Sequence, residues 1–236
     1  MDAPLPAAVE PLGAAAGLGE PDPRAVAAER LTFFVDAVVA IAITLLALDL
    51  GVPEGDTNHD LLNSMYANRE TYIGFLISFY VIGTHWANHH KIARYVTRLG
   101  GRLTLVTMLW LFTLVVTPFA TRVLSGGDGG FQVRFILYAA VQALSGFFYL
   151  LVVRQIQVHR LYRPDTPPDI FGNAYFGSGA LAVGFLVSIP VAFHTTYAYD
   201  CWIAFPIAIA LARHLYQRRA KSRAKTAVPS QVPPVE

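Results

Sequence analysis

The stretch Arg30–Leu50, RLTFFVDAVVAIAITLLALDL, decides the fold. It is long and apolar enough to cross a bilayer, since a spanning helix needs about 20 predominantly apolar residues. Asp36 stands near its start and Thr44 near its middle. An ionisable side chain inside a span is costly, and it marks a candidate functional site until a partner is found for it. The helix is therefore expected to line an ion pathway.

Composition extends the reading to the whole chain. Of 236 residues, 54% are hydrophobic and only 14% charged, and the mean hydropathy is +0.44. These values describe an integral membrane protein rather than a soluble domain. The net charge of +2 is small and the basic residues cluster by loop, which argues against a nucleic-acid partner. A single cysteine, Cys201, excludes an internal disulfide framework and a thiolate metal cluster.

Outward from the first helix, residues 1–22 are rich in Ala, Pro and Gly and read as a disordered tail without the features of a signal peptide. Asp22 followed by Pro23 fits a helix start, and Gly51 followed by Pro53 fits a stop. Five further apolar segments are expected at Thr71–His90, Leu103–Leu124, Phe131–Val153, Phe171–Phe193 and Thr195–Tyr216, the last kinked at Pro206. The domain plan is thus a tail over 1–22, a six-helix transmembrane domain over 23–216 and a basic tail over 217–236.

Loop charges orient the segments. Arg24 and Arg30 precede the first core, Lys91, Arg94, Arg98 and Arg102 join the second to the third, and Arg154, Arg160 and Arg163 join the fourth to the fifth. The tail QRRAKSRAK is basic as well. The opposite side holds Arg69, Arg122 and Arg134 beside Glu54, Asp56, Asp60 and Asp128. By the positive-inside rule both termini are expected to be cytoplasmic, and an even number of spans agrees with placing them on one side. The basic tail needs no role beyond lying on anionic lipid.

Some faces are legible. Ala180, Gly184 and Ser188 recur at the small-residue spacing that lets membrane helices approach closely. Tyr138, Gln142, Ser145 and Tyr149 share one face of the fourth segment, and Thr107, Trp110, Thr113 and Thr117 share one of the third. Both read as interhelical hydrogen-bonding stripes rather than a substrate path. In the first helix Ile41, Leu45 and Leu48 form a narrow apolar stripe with Thr44 on its flank, while Asp36 points about 140° away from Ile41 at 100° per residue. Asp36 is therefore expected to face sideways, toward polar residues at the cytoplasmic end of the second segment.

That end reads GTHWANHHKIAR. His85 and His89 are four apart and share a face. Such a pair can bind a transition metal, but HExxH is absent and the nearest acid lies in another helix, so hydrogen bonding between helices is the expected role and no metal or cofactor is expected.

Arg30, Phe34 and Asp36, followed by AIAITLLALDL and Gly51-Val52-Pro53, resemble the first helix of the TMEM175-type potassium channel family, whose signature is RxxxFSD. Trp86, Asn88, His89 and His90 resemble that family's tryptophan-histidine segment. Val35 departs from the pattern, standing where the family has serine. The resemblance implies an all-α membrane protein with six transmembrane helices per subunit, assembled as a homotetramer in the cell membrane with first helices lining a central pore. It implies Ile41 as a narrow ring, Leu45 and Leu48 as further apolar rings, and Thr44 as a polar layer between. Arg30, Phe34 and Asp36 would hold the helix in place, with His85, Trp86, Asn88 and His89 as its supporting network.

The leading function is then a potassium-permeable leak-type cation channel with a hydrophobic constriction, whose partners are potassium ions, the lipid bilayer and copies of itself. There is no TVGYG loop to supply a carbonyl filter. The alternative is a secondary transporter using Asp36 as a coupling group. Such proteins show internal repeats and broken helices, and no convincing repeat relates the two halves here. An intramembrane enzyme is not expected, because no GxSxG or metal triad is present.

Overall fold

The computed structural model describes residues 22–127 and 129–195, together with Ala198, Cys201, Trp202 and Ile207. The described helices are α1 (Pro23–Leu48), α2 (Asn58–Ala67), α3 (Arg69–Ala93), α4 (Leu103–Ser125), α5 (Phe131–Val158) and α6 (Asp169–Ala192). The tails 1–21 and 208–236, and most of the expected sixth segment with Pro206, lie outside the described residues.

The start of α1 is fixed by chemistry local to it. Asp22 accepts the Arg24 N–H at 2.9 Å, and Pro23 needs no partner for an N–H it lacks. One side of the helix buries Ala28, Val35, Val39, Ala42 and Leu46 against α3 and α4. It stops at Leu48, ahead of Gly51.

The next helix, α2, was not anticipated from the apolar pattern. Thr57 accepts the Asp60 N–H while the Asp60 carboxylate accepts the Thr57 N–H, a reciprocal cap that starts a helix with no buried residue.

α4 is the hub, packing on α1, α3 and α5, and α5 in turn carries α6. It contains Pro118, which has no N–H to give the preceding turn. On its buried face Thr113, Thr117 and Thr121 return their hydroxyls to the carbonyls of Trp110, Thr113 and Thr117, which keeps these groups satisfied away from water. Ser78 of α3 bonds both Thr121 and Tyr138, at 2.7 and 2.9 Å.

Close approach of α5 and α6 depends on small side chains. A Cβ on Gly146 would sit 2.7 Å from that of Ala182. The tight contact therefore runs through Ser178 and Ala182, beside the expected stripe, in which Gly184 and Ser188 are buried and Ala180 is half-buried. From the sixth segment, the Trp202 indole donates to Ser188 Oγ at 2.7 Å and stacks on Phe135 at 4.4 Å.

Backbone hydrogen bonds gather three connections at one end of the bundle. Thr97 N–H reaches Leu161 O, Arg163 N–H reaches Tyr95 O, and Leu99 N–H reaches Arg24 O. The basic α3–α4 and α5–α6 loops thereby meet the start of α1. At the opposite end Arg122 of α4 pairs with Asp49 just past α1.

Among the described residues, four helices are long and apolar enough to cross a membrane: α1, α4, α5 and α6. α3 has the length, at 25 residues, but not the apolarity. Its second half holds His85, Asn88, His89 and His90, and the histidines at 85 and 89 are spent inside the bundle rather than on lipid.

Candidate ion pathway and its supporting network

The face of α1 opposite its packed side is open. Ile41 is 59% exposed, Leu45 40% and Leu48 78%. Thr44 is exposed beside them, its hydroxyl returned to Ile41 O at 2.9 Å. Arg30 and Phe34 continue the same face toward the helix start, both exposed. Only 22% of the apolar window of α1 is buried, against 56% for α4, although α1 is the more hydrophobic.

Asp36 is turned off that face. It is half-buried and accepts a hydrogen bond from the Trp86 indole Nε1–H of α3 at 2.9 Å. His90, one turn on from Trp86, stacks on the indole at 5.4 Å. α3 thus presents two polar faces with different neighbours.

The inner face carries His85 and His89. His89 stacks on Trp110 at 5.0 Å, and His85 meets the Tyr149 ring edge-on at 6.0 Å. Trp110 and Tyr149 are themselves 5.4 Å apart, so helices α3, α4 and α5 share one buried aromatic cluster. Asn88 is half-buried and faces Gly177 of α6. Among the described residues no set of three His, Cys, Asp or Glu side chains converges as a metal site would require.

The structure therefore brings Asp36 to Trp86 and sets both His85 and His89 against Trp110. These histidines meet the neighbouring helices through ring contacts rather than through the interhelical hydrogen bonds expected of them, because aromatic side chains of α4 and α5 enclose them. Arg30 and Phe34 join neither group. The pairing of Asp49 with Arg122 was missed in the sequence. Its signal was a pair of opposite charges at the far ends of the first and third apolar segments.

Similarity to known proteins bears on this geometry. A profile of the family described as the endosomal/lysosomal potassium channel TMEM175 matches residues 30–118, from Arg30 of α1 to Pro118 of α4. A potassium channel of Streptomyces collinus is 32% identical over 170 residues, which cover 70% of this chain and 82% of that protein. A potassium channel of Chamaesiphon minutus is 36% identical over 98 residues, 41% of this chain and 48% of that one. The crystal structure of a lysosomal potassium-selective channel TMEM175 homolog from Chamaesiphon minutus superposes with a TM-score of 0.64 at 25% identity, covering 79% of this chain and 98% of its own. The match spans the Asp36–Trp86 contact and the open face of α1 alike, and the chain belongs to the TMEM175 potassium channel family.

Proposed function

We propose that the protein is a potassium-permeable leak-type channel, a homotetramer in the cell membrane in which α1 from each subunit lines a central pore. The observation that carries this reading is the open face of α1: the most apolar of the candidate spans is the least packed within its own subunit. Lipid could cover such a face, but Thr44 and Arg30 on it favour an aqueous or protein neighbour. In the same reading α3 spans the membrane as a packed inner helix, residues 23–216 form the channel domain, and the tails 1–22 and 217–236 are cytoplasmic.

Ile41 forms the narrow ring, Leu45 and Leu48 form further apolar rings, and Thr44 supplies a polar layer. A ring of aliphatic side chains makes a continuous water column unfavourable, so conduction is controlled by dewetting and widening rather than by a carbonyl cage. Potassium sheds hydration water more readily than sodium, so the constriction penalises sodium more and gives modest selectivity. Arg30, Phe34 and the Asp36–Trp86 bond hold α1 in register, with His85, Asn88 and His89 anchoring α3 behind it.

The deciding experiment is flux through purified protein in liposomes. A potassium gradient should drive a passive, non-saturating current; a saturable flux that needs a coupled proton gradient would replace the channel by a transporter.

A further inference from the structure

Between α3, α4, α5 and α6 lies a set of buried polar atoms that no described protein group satisfies: both ring nitrogens of His85, Nδ1 of His89, Trp110 Nε1, Tyr149 OH, and the hydroxyls of Ser145 and Ser178. The side chains of His85, Trp110, Tyr149, Ser145 and Ser178 are almost wholly inaccessible. Leaving one such group without a partner costs about 1–3 kcal/mol, so several in one place cannot all stay dry in a stable fold.

Their positions are coherent rather than scattered. The rings of His85, Trp110 and Tyr149 lie within 5.4–6.2 Å of one another. Ser145 is one turn from Tyr149 on α5. The Gly146–Ala182 contact puts Ser178, one turn before Ala182, on the adjoining stretch of α6. His89 leads outward from this cluster to a cavity of about 20 Å³ that it lines together with Thr32 and Thr107. That volume exceeds the ~10–15 Å³ needed to hold one water, and the lining offers the polar partners a bound water requires.

We propose that each subunit carries an ordered water cluster in its interior, entered beside His89 and Thr107 and extending to His85, Trp110 and Tyr149, separate from the open face of α1. The ligand is water because the site mixes donors and acceptors at short spacing, and the carboxylate whose field reaches His89, that of Asp36, is already engaged by the Trp86 indole. Trp110 Nε1 only donates, Ser145, Ser178 and Tyr149 do either, and each neutral imidazole offers one of each. A metal ion would need a convergent ligand set, and a larger molecule would need more room.

Water-edited solid-state NMR on the full-length protein in liposomes tests this directly. Magnetisation transferred from water should reach the rings of His85 and Tyr149 as quickly as that of exposed His59, and far sooner than the buried methyl groups of Leu114. Transfer to His85 and Tyr149 as slow as to Leu114 would overturn the proposal. Stability gives an independent readout in the variant Tyr149→Phe. Removing a hydroxyl bonded to water should lower the thermal midpoint and slow water transfer to His85, whereas a raised midpoint would mean that the hydroxyl was buried dry and would count against the cluster. Should Tyr149→Phe not fold, the wild-type transfer rates still decide.

Discussion

Asp36 on α1 and Trp86 on α3 are joined by a single hydrogen bond of 2.9 Å, and His90 braces the same indole from behind at 5.4 Å. The carboxylate is thus engaged by a neighbouring helix, away from the face that carries Ile41.

Trp86→Phe keeps the aromatic stack on His90 and removes the indole donor. The loss should be about 1.5 kcal/mol, the low end for a hydrogen bond to a charged group, because Trp86 is 40% exposed. A lower thermal midpoint of the purified protein checks it. Asp36→Asn keeps an acceptor for the indole, so potassium flux should persist in that variant; its complete loss with the fold intact would return Asp36 to a coupling role.

Ile41→Asn places an amide in the proposed narrow ring. Conductance should rise and the potassium-to-sodium permeability ratio should fall, read from reversal potentials in planar bilayers. An unchanged ratio would remove Ile41 from the pore.

Gly146→Ala puts a methyl group 2.7 Å from the Ala182 Cβ. Helix propensity favours the substitution, but overpacking costs about 1–3 kcal/mol and should win. Ala182→Gly in the same chain should recover much of the loss, a coupling that a double-mutant cycle measures.

Thr57→Ala removes the reciprocal cap of α2 at a cost of about 1 kcal/mol. Since α2 buries nothing, the damage should stay local. Faster amide hydrogen exchange over 58–61, with the rest of the chain unchanged, is the expected result.

Long apolar runs made α1, α4, α5 and α6 legible to within a few residues, because in a bilayer length and apolarity are nearly sufficient conditions for a helix. Polar faces on α4 and α5 were legible from spacing, and so was the sideways direction of Asp36. Other features depend on partners far along the chain. The short helix α2 was hidden because its only signal is the Thr57–Asp60 cap in a polar loop. The final turn of α5, to Val158, runs past the apolar core through Arg154 and Gln155, where composition suggested a loop. The cluster around His85 could not be seen at all. Two histidines four apart say nothing of whether Trp110 and Tyr149 will enclose them, and only packing decides that.

Apolar packing resists pulling α1 away from α3 and α4, but it resists rotation about the helix axis poorly, since one aliphatic contact substitutes for another. Directional bonds supply what packing lacks, and among the described residues three tie α1 and its C-cap to other elements: Leu99 N–H on Arg24 O at its start, Trp86 on Asp36 midway, and Arg122 on Asp49 just past its end. Mechanically it is a beam on three supports, with Ile41 and Leu45 in the bay between the second and third. The last support is the weakest under load, because its guanidinium is open to solvent and salt screens the attraction. Raising ionic strength should therefore free the Leu48 end to swing first, broadening the distances between probes on α1 at Leu48 before any change at Phe34. The stiffness of that bay is set from outside the helix it belongs to.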